Sequence, residues 1–396
     1  MKLLYKMWHS VLPCVLLTLC IGFCYAFSLF VPPISELMGC SKLEVQFTFC
    51  LNIFFLGMGA ACFGPLAEKN IKMSALTSTI LLSLGLALSG LACRFHNLWL
   101  LYLGSGVCCG ISEGCGYVTP NKNMLLWFSQ SKFKGLLMAV SIFTFGFGSS
   151  LCSYMFGHLY PNLGIENTFY ALSVIYAIPM AIGVFAINKP RYALLKIAKR
   201  VDTGFRYVET LKDNYFLKCW LFMFINISMG LILIGGCAST MTTLGFTASE
   251  VITIMMLCGV FNATGRLVFP AIGDFLKNRS FVWVITAVFE VLLMIPVIWS
   301  IGPIYVAAAC LVLIHCGYGS AFACLPSILS THYGKDNLSQ LHGFCLTSWG
   351  MASLMAFLCS TFVLKFFPGM VYVMILVAIG YVINIFVSMS IAKQGR

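Results

Sequence analysis

The chain is predicted to be an all-α integral membrane protein of about twelve spanning helices, and three observations in its 396 residues carry that prediction. Hydrophobic residues make up 60% of it and charged residues only 9%, against about 25% charged in a soluble domain. Apolar runs of about 20 residues, each long enough to cross a hydrocarbon core about 30 Å thick, recur along the whole length. Lysine and arginine collect in alternate loops, the pattern that orients a multi-pass protein.

Runs bounded by charged residues or by Gly, Pro and Asn place the helices at 8–31, 45–66, 73–93, 98–120, 134–157, 168–187, 215–237, 249–272, 280–301, 305–328, 340–363 and 369–392. The one long polar stretch, Lys189 to Asp213, predicts a cytoplasmic linker at 189–214 between an N-terminal six-helix bundle, 1–188, and a C-terminal one, 215–396. With the N-terminus inside, the cytoplasmic segments hold Lys2, Lys6, Lys69, Lys72, Lys122, Lys132, Lys134, seven cations of the linker, Lys277, Arg279, Lys335, Lys393 and Arg396. The outer side holds only Lys42, Arg94 and Lys365. This places a multi-pass protein in the cell membrane with both termini cytoplasmic. The opening segment, Lys2 and Lys6 ahead of an apolar run to Ala26, could alternatively act as a signal peptide.

The halves repeat one another. Ser41-Lys-Leu-Glu44-Val45 opens one helix and Ala248-Ser-Glu250-Val251 opens another, with Glu68 and Asp274 each 24 residues beyond the respective glutamate and Gly59 in register with Gly265. Duplicated halves meeting at a midplane site are the plan of secondary transporters.

The net charge of +12 would suggest nucleic acid in a soluble domain, but its placement in loops explains it here, and no nucleic-acid partner is expected. Most of the 19 cysteines fall inside apolar runs, where they act as small hydrophobes. Cys40 and Cys93 fall in expected outer loops, where a disulfide is an option. No metal-ligand spacing, Walker loop, dinucleotide fingerprint or His-Glu metal motif is present. The expectation is no metal, no cofactor and no catalytic residue, hence no enzyme.

A charge retained inside the bilayer costs about 2.5 to 3.5 kcal/mol on insertion scales, which makes each one a functional candidate. Arg266, in Asn262-Ala-Thr-Gly265-Arg266, comes first, because a guanidinium stays charged and fits a carboxylate with two parallel N–H groups. Its register partner in the first half is Ala60, so the charge is one-sided. Glu113 lies on a stripe with Gly110 and Tyr117, and a carboxyl in low dielectric can take up and release a proton. His315, on a stripe with Tyr318 and Phe322, titrates in the physiological range. Both are proton-coupling candidates. Glu290, central in the ninth run, receives no role. Tyr25, Tyr117, Tyr318, Phe322 and Trp349 fall in the first, fourth, tenth and eleventh runs, where they could enclose a small carboxylate around one arginine. The Gly/Ser-rich stretch Phe145-Gly146-Phe147-Gly148-Ser149-Ser150 reads as close helix packing.

The segment Gly22-Phe-Cys-Tyr25-Ala-Phe-Ser-Leu-Phe30-Val-Pro-Pro33, followed by Ser41-Lys-Leu-Glu44-Val45, resembles the opening of oxalate/formate antiporter-type proteins of the major facilitator superfamily. Gly114-x-Gly116-Tyr117-x-x-Pro120 with Trp127-Phe128, Phe261-Asn262 through Arg266 to Asp274, and Gly319-Ser320 to Pro326 add to it. More distantly, the layout is similar to monocarboxylate transporters. The resemblance implies two pseudo-symmetric six-helix bundles moving a small organic anion by alternating access, with Arg266 on the family's carboxylate-binding position and the aromatic residues around the ligand. In the eleventh helix, where the oxalate carrier has a second cation, this chain reads Trp349-Gly350-Met351-Ala352.

One fixed cation suits one carboxylate, so the expected cargo is a monocarboxylate such as formate, lactate, pyruvate or acetate. Coupling is expected to a proton by symport or to a counter-transported anion by antiport, in a monomeric protein surrounded by lipid. The alternatives are an amino acid or dicarboxylate carrier and a membrane sensor that binds without transport.

Overall fold

The computed structural model describes residues 2–128, 134–190, 207–333, 338–367 and 369–394. Lys132, Lys335, Arg396 and most of the expected linker, 191–206, lie outside the described residues. All regular structure among the described residues is helical. In lipid a backbone N–H or C=O finds no water, so each spanning segment must satisfy its own hydrogen bonds.

The long helices are α1 (Leu4–Leu29), α2 (Lys42–Lys69), α3 (Ile71–Arg94), α4 (Leu98–Phe128), α5 (134–163), α6 (165–186), α7 (Asn214–Thr243), α8 (Ala248–Phe275), α9 (Phe281–Ile298), α10 (Ile304–Tyr333), α11 (Leu341–Phe366) and α12 (Met370–Gln394). The apolar stretch 139–186 would be about 70 Å long as one helix at 1.5 Å per residue, far more than a single crossing needs. It breaks at Gly164, whose φ of 72° and ψ of 173° lie where a side chain would be strained.

The opening segment is a packed helix of the bundle, with most of its residues from Cys20 to Val31 buried. A signal-peptide role does not fit that placement. The fourth helix continues past its expected end at Pro120 to Phe128, since proline is tolerated in spanning helices. Asn123 holds that extension by donating to the His9 carbonyl at 3.0 Å. Cys93 lies in α3 rather than in a loop, and both it and Cys40 are free thiols.

The internal repeat has a physical basis at its start. Ser41 and Thr247 are N-caps, and each forms a capping box with the glutamate three residues on, Glu44 or Glu250. Two otherwise orphaned backbone donors are satisfied in each box. The repeated glycines mark equivalent helix crossings. A Cβ on Gly59 of α2 would lie 3.2 Å from the Ile111 backbone of α4, and one on Gly265 of α8 would strike the Cys316 carbonyl of α10.

Helices before residue 190 meet those after 213 along two broad seams, and α2 also touches α7, where Gln46 donates to the Gly235 carbonyl at 3.4 Å. In one, the backbones of Gly57 on α2 and Gly350 on α11 touch and Cys50 donates to the Ser353 carbonyl at 3.3 Å. In the other, Ser150 on α5 donates to the Met256 carbonyl on α8 at 2.7 Å. Of the most apolar stretch of each helix, 83% is enclosed in α10 but only 33% in α12. α10 carries Tyr318 and Phe322 in the interior, and α12 presents Ile379, Ile383 and Phe386 outward to lipid.

Overpacking a helix crossing costs about 1–3 kcal/mol. Gly265→Ala is expected to lower the melting temperature of the detergent-purified protein by several degrees. Gly64→Ala, at a position with open space around it, is expected to leave it unchanged; equal melting of the two variants would contradict the crossing.

Candidate functional site

Two of the helices that build the site are locally irregular. The last stretch of α1, Gly22–Leu29, winds as a 3₁₀ helix and carries Tyr25; α4 contains a π-helical stretch, Tyr102–Cys108, ahead of Glu113 and Tyr117. Such departures from α geometry recur at functional positions. They bring side chains of α1 and α4 to the middle of the molecule.

Arg266 of α8 is fully buried at 0% exposure. Its guanidinium lies between the rings of Phe145 on α5 and Phe322 on α10, 5.3 Å from each centroid. Cation–π attraction offsets part of the desolvation. Nε donates to Asn262 Oδ1 one turn back at 3.1 Å, and Nη1 donates to the Ile142 carbonyl of α5 at 3.3 Å. Nη2 has no hydrogen-bond partner in the protein, and no acidic side chain forms an ion pair with Arg266 among the described residues. Gly146 makes the seat: a Cβ there would stand 3.1 Å from Arg266 Nε.

The five aromatic candidates form one cage with this arginine. Tyr117 packs edge-on against Trp349 at 5.6 Å, Phe322 against Trp349 at 4.3 Å, and Tyr25 edge-on against Tyr318 at 5.6 Å. The hydroxyls of Tyr25 and Tyr318 are hydrogen-bonded to each other at 3.0 Å, joining α1 to α10. Each of the five rings is at most 3% exposed, so the cage is closed to water in this conformation.

Phe145 was not among the sequence candidates. Its ring packs within 6 Å of Tyr25, Tyr117 and Trp349, and it flanks the guanidinium. The stretch that holds it reads as packing, which Ser150 and Gly259 bear out at the α5–α8 seam. Phe145 could have been found as the residue next to Gly146, had that helix been placed beside α8.

Besides Arg266 Nη2, two donors of the cage have no hydrogen-bond partner: Tyr117 Oη and Trp349 Nε1. Buried polar groups are nearly always hydrogen-bonded, and an orphan costs about 1–3 kcal/mol. Unpartnered donor capacity around one cation, with no acidic side chain bonded to it among the described residues, forms an environment complementary to a small anion.

The two proton-coupling candidates lie outside the cage. Glu113 is buried and turned toward α2, where its Oε1 accepts from Asn52 Nδ2 at 3.1 Å and its Oε2 has no partner. The Cys24 thiol, next to Tyr25, lies against the Glu113 carboxyl and in electrostatic reach of the arginine. His315 faces away from the arginine. Its Nδ1 bonds to the Leu311 carbonyl at 2.8 Å, and it borders a separate small cavity with Cys237, Thr240, Met241 and Met374.

The sequence model described as Major Facilitator Superfamily matches residues 14–357. The chain is 25% identical over 357 residues to the "Uncharacterized MFS-type transporter YhjX" of Escherichia coli (strain K12), spanning 88% of this chain and 86% of that one. It is 23% identical over 354 residues to the "Oxalate:formate antiporter" of Oxalobacter formigenes, spanning 88% and 82%. Its fold is similar to a crystal structure of the D-xylose-proton symporter, with a TM-score of 0.78, 12% identity and 99% of both chains covered. This chain belongs to the major facilitator superfamily, whose members are multi-pass membrane transporters of small molecules rather than enzymes.

Proposed function

We propose that the protein carries a small monocarboxylate across the membrane by alternating access, with Arg266 binding the carboxylate. The observation that carries this reading is the buried, unpaired guanidinium with a free Nη2 group, beside the unpartnered donors of Tyr117 and Trp349. A carboxylate has two oxygens and about four lone-pair sites, enough for these three donors. A second carboxylate would meet no second cation, because Trp349 stands among the rings where the oxalate carrier is expected to have a lysine. The distant similarity to an oxalate:formate antiporter supports the same class of small carboxylate.

In this reading the closed cage is an occluded state. Opening the cage parts contacts between the two sets of helices, the Tyr25–Tyr318 hydrogen bond among them. Both termini face the cytoplasm, as the loop charges indicate.

Arg266→Lys keeps the charge but removes the planar fork. It is expected to abolish uptake of labelled pyruvate, formate, lactate or acetate into proteoliposomes and to erase the thermal stabilisation these anions give the purified protein. Full uptake by Arg266→Ala protein that is correctly inserted would refute the assignment, and stabilisation without flux in the wild type would identify a sensor.

A hydrogen bond to a charged group contributes about 1.5–3 kcal/mol, or about 10- to 150-fold in Kd. Trp349→Phe is expected to weaken monocarboxylate binding by that factor, whereas Trp349→Lys is expected to confer binding of oxalate. Unaltered affinity in the first variant would remove Trp349 from the anion site.

A further inference from the structure

Glu113, Arg266 and Glu290 are the fully buried charged side chains among the described residues, and each is held by an asparagine rather than by an opposite charge. Asn52 and Asn226 donate Nδ2 to Glu113 and Glu290, while Asn262 accepts from Arg266 Nε through Oδ1 at 3.1 Å. A guanidinium N–H can only donate, which fixes Oδ1 as the atom that faces it. Asn262 is buried, and its amide is wedged against Gly319 of α10, where an added Cβ would stand 2.6 Å from Oδ1. The register that pairs Gly59 with Gly265 sets Leu56 opposite Asn262 and Ala60 opposite Arg266. The amide and the cation therefore occur together in one half and are both missing from the other.

An acidic residue at position 262 would hold the arginine more firmly than an amide does. Four residues ahead of a cation is the favourable spacing for an ion pair on a helix, and a buried charge left unpaired is the costlier state. Stability alone would thus favour aspartate. Asparagine has the same shape and accepts the same hydrogen bond, but brings no charge. It fixes the guanidinium and leaves the positive charge unmatched.

The same bond decides which part of the fork is open. A guanidinium can grip a carboxylate with parallel N–H groups along its Nε–Nη2 side or across its Nη1–Nη2 end. Asn262 closes the side at Nε, and the Ile142 carbonyl takes one of the two N–H groups of Nη1. One N–H of Nη1 and both of Nη2 remain.

We propose that Asn262 is the positioning residue of the anion site: it holds Arg266 by Nε without neutralising it, so that a carboxylate docks end-on across Nη1 and Nη2. This rests on the carboxylate reading of Arg266.

Asn262→Asp supplies the missing counter-ion, and labelled pyruvate in proteoliposomes is the probe. The variant is expected to melt at or above the wild-type temperature, yet to lose both the thermal stabilisation that pyruvate gives and the exchange of labelled for unlabelled pyruvate. A merely structural asparagine predicts the opposite, since aspartate accepts the same bond. Asn262→Leu keeps the arginine unpaired but removes the Nε acceptor. It is expected to raise the half-saturating pyruvate concentration about tenfold or more, the effect of one hydrogen bond to a charged group, with maximal exchange near that of the wild type. Pyruvate binding retained by Asn262→Asp overturns the proposal, and so does Asn262→Leu with an unchanged half-saturation, whatever its maximal rate. If Asn262→Asp fails to fold, Asn262→Leu decides alone. Exchange lost in Arg266→Lys but retained in Asn262→Asp leaves the Arg266 reading standing without this one. Absence of both stabilisation and exchange in the wild type overturns the Arg266 reading and this inference with it.

Discussion

Arg266 carries a full positive charge at 0% exposure with no acidic side chain bonded to it among the described residues, and the surrounding structure is arranged around that unmet charge. Removing a charge from water and leaving it without a counter-ion costs several kcal/mol. Two ring faces, the Asn262 side chain and the Ile142 carbonyl offset part of this. Each of these partners depends on close backbone approach. Gly146 admits the guanidinium against α5, and Gly265 brings α8 onto α10, which carries Phe322. The glycines that read as packing and the arginine that reads as function are one device.

The cage draws on helices from both ends of the chain. Tyr25, Tyr117 and Phe145 come from α1, α4 and α5, while Arg266, Phe322 and Trp349 come from α8, α10 and α11. A ligand held among them contacts both sets, so its presence biases how the sets sit against one another, which is the differential interaction any ligand-driven conformational change requires. The seams at α2–α11 and α5–α8 combine close glycine, serine and cysteine approaches with larger side chains, such as Phe47 packed on Phe357 at 5.0 Å.

The two buried glutamates share a pattern. Each is clamped by an asparagine on a neighbouring helix, Glu113 by Asn52 and Glu290 by Asn226, and each sits beside the residue preceding a cage tyrosine, Cys24 or Gly317. They differ in how completely their oxygens are satisfied.

Composition and hydropathy by themselves determined that this is a helical membrane protein, where its helices run and that it is duplicated, because lipid as solvent leaves few alternatives to an apolar helix of set length. The lone intramembrane arginine and five of its aromatic neighbours were legible for a related reason: charged residues are rare enough in such runs to stand out. Phe145 was not, since one phenylalanine among 34 is marked only by which helix faces Arg266. The breadth of the α4 helix past Pro120, the position of Cys93 within α3, and the seating of His315 away from the cage likewise depended on how helices rotate against their neighbours. Tertiary structure alone paired Glu290 with Asn226 and left Nη2 of Arg266 without a partner, because hydrogen bonds between helices are set by rotation and depth, which hydrophobic periodicity does not encode.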